Sequence, residues 1–152
     1  MLAIFLCKDK PHVKASILFE AIDTEAMESI TREQFSTAME DVFEVVVNRI
    51  MKLCTGKENC GFLNYNLLVS YCDDLEMGKE RGIDRLTALI FDDDSYVEKE
   101  QFVSRLASEE LSWVLSTTGI RQHWYEAFVT RQFDFAAKKR MGQNTGKQFD
   151  FS

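Results

Sequence analysis

The sequence predicts an all-α protein of helix-loop-helix units gathered in two small lobes, and three observations carry that expectation. Across 152 residues there is one proline, Pro11, and only seven glycines, so long stretches run without a helix breaker. Apolar residues recur at three-to-four spacing, the period of an amphipathic helix, as in Phe35, Met39, Val42, Phe43 and Val46. In three places an aliphatic or aromatic residue within a polar stretch is followed, five positions on, by an apolar residue that opens the next helix. These pairs are Ile30 with Phe35, Phe62 with Leu67, and Val97 with Phe102.

Pro11 suits the first position of a helix, because the amide it lacks would have no partner there, and Leu18, Phe19, Ala21 and Ile22 give a helix over 11–23. Thr31 and Gln34 have the form of a capping box, so a second helix starts there. Its apolar positions continue to Cys54, as one helix or as two with Asp41 capping the second. Thr55 to Gly61 is a polar turn, and residues 62–71 read as helix from the spacing of Tyr65, Leu68, Val69 and Cys72. Asp73 to Asp84, charged and carrying Gly78 and Gly82, reads as a linker or a frayed helical connection at which the two lobes would separate. Beyond it come an apolar face ending at Phe91, a break at Asp92-Asp93-Asp94-Ser95, and a helix from Glu98 to Leu106. A Thr117-Thr118-Gly119 turn then precedes a last helix around Trp124, Phe128 and Phe133. Ile120 with Tyr125 repeats the five-residue interval a fourth time, out of step with the earlier spacing.

The layout of Leu18-Phe19-Glu20-Ala21-Ile22-Asp23-Thr24-Glu25-Ala26-Met27-Glu28-Ser29-Ile30-Thr31-Arg32-Glu33-Gln34-Phe35 resembles an EF hand of the calmodulin and myosin light chain superfamily. Asp23 would stand at the first loop position and Ile30 at the eighth; a generic helical bundle is the plain alternative. The resemblance implies paired EF-hand-like helix-loop-helix units in an N-terminal lobe, 1–76, and a degenerate C-terminal lobe, 77–137, with a basic flexible tail at 138–152. Calcium needs six to eight oxygens, usually with a bidentate carboxylate at loop position twelve and a glycine at six. In the first loop Asp23 and Glu25 are possible donors, but Met27 stands at position five, Glu28 replaces the glycine and Gln34 the chelating glutamate. The second, Thr55 to Asn66, has no aspartate; the third, Asp92 through Val97 to Gln101, fits only if shortened by about two residues, and a solvated acidic turn or a helix N-cap is the expected use of Asp92 to Asp94.

By that resemblance the hands keep their mechanical role, an apolar groove rich in methionine and phenylalanine that clasps an amphipathic helix. Phe19, Phe35, Met39, Phe43, Met51 and Phe102 are the groove candidates. The implied protein is similar to a light chain: a calcium-independent structural adaptor subunit for a cytoskeletal or motor assembly, with a cytoplasmic location on the cytoskeleton or in a cilium or flagellum. A calcium sensor using Asp23, Glu25 and Gln34, and a structural protein of microtubules or axonemes, are the alternatives.

Charge and chemistry narrow the classes further. The formal charge of −7 repels a phosphate backbone, so nucleic acid is not expected as a partner. Lys138, Lys139, Arg140 and Lys147 against Asp150 leave +3 on residues 136–152, a stretch suited to an acidic neighbour such as a microtubule. Met1 to Leu6 is shorter than a signal-peptide core and than the ~20 residues of a membrane span, which gives the expectation of an intracellular protein. Cys7, Cys54, Cys60 and Cys72 form no C-x-x-C pair and His12 and His123 lie far from them, so reduced thiols are expected and zinc or any other cofactor is not. Both histidines read as surface residues without a nucleophile beside them, Thr55-Gly56-Lys57 lacks the rest of a phosphate loop, and adjacent acids such as Glu109 and Glu110 read as solvated surface. No enzyme is expected.

Overall fold

The structure is a computed structural model that describes residues 2–49 and 65–144. Met51, Cys54, Cys60, Phe62, most of the second loop and the chain beyond Asn144 lie outside the described residues. Helix α1 (Leu2–Leu6) leads into α2 (Pro11–Ile22), strand β1 (Ser29–Thr31) and α3 (Arg32–Phe43), which widens into a π-helical stretch over Glu44–Arg49. A 27-residue helix, α4 (Tyr65–Phe91), precedes strand β2 (Tyr96–Glu98) and the short α5 (Lys99–Leu106). A 3-10 turn over Ser112–Leu115 then opens into α6 (Thr117–Asn144). The described residues are mostly helical, as the breaker-poor composition predicts.

Local chemistry sets the helix starts. Pro11 occupies the first turn of α2. At α3 the Thr31 hydroxyl accepts from the Gln34 amide at 3.2 Å while the Gln34 side-chain oxygen accepts from the Thr31 amide at 2.8 Å, so two orphan donors satisfy each other's element. Ser116 caps α6, its hydroxyl accepting from the Gly119 amide at 3.0 Å and donating to the Trp113 carbonyl at 2.9 Å. The apolar opening segment, expected only to be too short for export or insertion, folds as α1 and buries Ile4 and Phe5 in the core.

Two helix-loop-helix units face each other across the antiparallel ladder of β1 and β2, in which Ile30 stands opposite Val97 and Thr31 opposite Tyr96. Both Ile30 and Val97 are fully buried, so a three-residue ladder is backed by the core rather than standing alone. Beneath it Phe35 and Phe102 meet at 6.0 Å, Phe19 and Phe102 at 5.5 Å, and Phe35 and Phe91 at 5.7 Å between ring centroids. One continuous cluster runs from these rings through Leu75, Ile83 and Leu86 of α4 to Val114, Ile120 and Trp124.

Several readings of the sequence meet this architecture. The lobe boundary at 76/77 falls inside α4, and described residues on both sides of it share that one cluster. Of the two readings of Asp73 to Asp84, the structure has the helical connection, not the linker, and Gly78 and Gly82 serve close approach to α6: a Cβ at Gly78 would overlap the Trp124 carbonyl oxygen, and one at Gly82 the Trp124 ring. Ile120 and Tyr125, whose interval was already out of step with the others, both lie within α6 with no loop between them. The tail expected to be flexible from Lys138 continues α6 as far as Asn144. Asp41, offered as a cap, sits inside α3 on its exposed side.

Candidate functional site

The loop between α2 and β1 is organised by Asp23. Its two carboxylate oxygens accept separately from the Met27 and Glu28 amides, each at 2.9 Å, and the residue is nine-tenths buried. Those bonds shape a turn in which Ala26 and Glu28 adopt left-handed φ values of 53° and 55° without a glycine. Glu25 is exposed, and Gln34 is committed to its cap. Asp23 and Gln34, the two ends of the proposed calcium ligand set, are therefore hydrogen-bonded inside the loop.

The acidic turn after α4 is held by guanidinium groups. Arg32, the first residue of α3, donates from Nε to the Asp94 carbonyl at 2.7 Å and from a terminal nitrogen to the Asp92 carbonyl, while its planar head lies 5.6 Å from the Phe91 ring centroid. Arg105, on α5, donates to the Ile90 carbonyl and stands 3.7 Å from the Asp94 carboxylate. Asp92 takes a left-handed φ of 53° as the chain turns out of α4. Asp92 to Asp94 are exposed, and the first turn of α5 is capped instead by Glu98, whose amide donates to the Gln101 side chain at 3.5 Å. The solvated turn is the use the structure makes of these acids; the N-cap is not. Lys99 and Glu20 join the two units at the surface, 2.9 Å apart.

The expected groove is closed. Phe19, Phe35, Met39, Phe43 and Phe102 are each 0 or 1% exposed, packed in the core rather than lining an open surface; Met51 lies outside the described residues. Trp124 of α6 meets one of them, Phe43, edge-on at 4.9 Å between ring centroids. Its indole N–H is buried with no hydrogen-bond partner among the described residues, a cost of about 1–3 kcal/mol that the surrounding apolar contacts offset.

His123 departs from its expected surface position, whereas His12 is exposed as expected. His123 lies between α4 and α6, its Nε2 donating to the Gly82 carbonyl at 2.8 Å and its ring 5.0 Å from that of Trp113. Burial, above all, holds its pKa below the usual imidazole value; the Gly82 carbonyl and Glu126 oppose that shift and Arg85 adds to it. A depression of about 370 Å³ beside it is lined by Trp113, Gly119, Gln122 and Glu126. The Ser116 hydroxyl, at the start of the same helix, is occupied in capping α6. Cys7 and Cys72 are free and half-buried, and burial followed by the Asp73 charge pushes the Cys72 thiol up, which keeps it protonated. No group of three or more His, Cys, Asp or Glu side chains among the described residues is arranged to hold a metal ion.

Of the tail candidates, Lys138 is an exposed residue of α6, and Lys139 and Arg140 follow it in the same helix. No described helix is long and apolar enough to cross a membrane. Compared with known proteins, the chain matches no family model, no curated protein and no solved structure. Sequence reasoning missed Arg32, His123 and Trp124, because each acts through a partner about 40 to 80 residues away; a cation next to the β1 cap, across the ladder from three consecutive aspartates, was the only signal for the first.

Proposed function

We propose that this chain is a non-catalytic adaptor built on one pair of degenerate EF hands, α2-β1-α3 and α4-β2-α5, which serves a larger protein assembly without calcium. The observation that carries the reading is Arg32: its guanidinium bonds the carbonyls of the second loop, where a calcium-binding hand would turn carbonyl and carboxylate oxygens toward an ion. The Ile30–Val97 register supports it too, since these are the eighth-position residues by which paired hands join. With Asp23 bonded to its own loop and Arg32 in the second, both turns reach a satisfied geometry from side chains of the chain itself.

In this reading the apolar face of Phe19, Phe35, Met39, Phe43 and Phe102 opens only when a partner's amphipathic helix takes it up, so the partner rather than an ion supplies the free energy of opening. A cytoskeletal or motor subunit in the cytoplasm, of the light-chain kind, is the partner class the resemblance suggests. Thermal unfolding in calcium and in chelator tests the central claim. The expected outcome is the same midpoint in both. A working sensor at a hundredfold excess of calcium over its dissociation constant would gain about 2.7 kcal/mol, and such a rise would overturn the reading in favour of a sensor using the first loop.

A further inference from the structure

The far end of α6 is unlike the rest of the molecule. Residues 131–138 are all exposed, eight in a row, and Phe133 and Phe135 are each 72% exposed, more than any other large apolar residue described. The segment is nevertheless fixed in direction. Arg131 donates to the Met77 carbonyl at 2.9 Å, and Asp134 is paired with Arg81 at 2.7 Å. Asp134 is also the one acid between residues 131 and 144, against Arg131, Lys138, Lys139 and Arg140.

We infer that residues 131–144 are a docking helix, taken up lengthwise by an apolar, acid-rimmed groove on a partner protein. Phe133 and Phe135 are two residues apart, hence roughly 160° apart around the helix axis. A flat surface such as a lipid headgroup layer buries one of two such rings and leaves the other in water, which is where this segment differs from an interfacial amphipathic helix. A concave site that encloses the helix buries both. By sequence, residues 131–144 carry four cations against one acid, and that acid is paired with Arg81, so the rim that complements the segment is acidic. The direction of the exchange is the reverse of the gripping role proposed above: there the chain supplies the groove, here the helix, and the two stand or fall separately.

The test is photo-crosslinking from the full chain in the cells that make it, with p-benzoylphenylalanine replacing Phe133 in one version and Phe135 in another. The expected result is that both positions crosslink to one partner protein, on opposing walls of a single apolar segment pair bordered by Asp and Glu. Phe133→Ser and Phe135→Ser, both at exposed sites, should each leave the unfolding midpoint unchanged and weaken binding to that purified partner roughly tenfold. Raising salt from about 50 to about 300 mM should weaken it by a similar factor. Crosslinking from one position only, to lipid, to a second copy of this chain, or to nothing overturns the inference.

Discussion

Arg32 illustrates how one side chain can substitute for a missing structural device. An acidic turn of three aspartates with a left-handed residue at its start is poorly determined by its own sequence, and the guanidinium supplies donors in a rigid fork that bonds two of its carbonyls while resting on Phe91. The group is partly exposed, so solvent screening limits its worth. Arg32→Ala should lower stability by about 1–2 kcal/mol in urea unfolding, and Arg32→Lys should recover little of it because an ammonium cannot bond both carbonyls and stack at once. Equal stability of lysine and arginine variants would remove the fork from the account. His123 makes the second residue-scale prediction. Its folded pKa lies below the value near 6.5 that it regains on unfolding, so the fold holds fewer protons than the unfolded chain. The stability it contributes is complete above about pH 6.5 and is lost as pH falls through the folded value. Denaturant midpoints from pH 7.5 down to pH 5 should therefore drop further for the native chain than for His123→Gln, and parallel curves would clear the imidazole of responsibility.

At the scale of elements, the seam between α4 and α6 decides the architecture. Glycine inside a helix costs about 1 kcal/mol against alanine, and on that ground Gly78 and Gly82 made Asp73 to Asp84 read as a linker. The penalty is outweighed by what the missing Cβ atoms permit, the seating of Trp124 and Phe128 directly on the α4 backbone. Gly78→Ala, which would gain helix propensity, should instead destabilise by about 1–3 kcal/mol, because the atoms in its way are backbone and cannot swing aside. Thermal unfolding of the variant measures this; a raised midpoint would mean that the seam relaxes more readily than its packing implies. The helices α2, α3 and α5 were legible from capping residues and apolar period. By contrast α1 and the unbroken length of α4 were not, since neither has a signal that local propensity can weigh against tertiary contact.

For the whole molecule, the single apolar cluster has a thermodynamic consequence. Ile30 and Val97 belong to different helix-loop-helix units yet bury each other, and the same cluster continues to Trp124. One cooperative transition is expected, with far-ultraviolet dichroism and the fluorescence of Trp113 and Trp124 coincident. Val97→Ala should move both probes together by about 1–3 kcal/mol, whereas two lobes split near residue 76 would yield separate transitions.

By itself the sequence determined the helical class, the cap at Thr31, the helix start at Pro11, and the positions of Ile30 and Val97, because these follow from interactions within a few residues of the chain. It also marked Phe19, Phe35, Met39, Phe43 and Phe102 as one apolar set. Whether that set lined a groove or filled a core, whether two glycines made a linker or a seam, and where Arg32 sent its charge were decided only by tertiary structure. Each depends on which surface arrives from a distant part of the chain, and burial is a property of that meeting rather than of the residue.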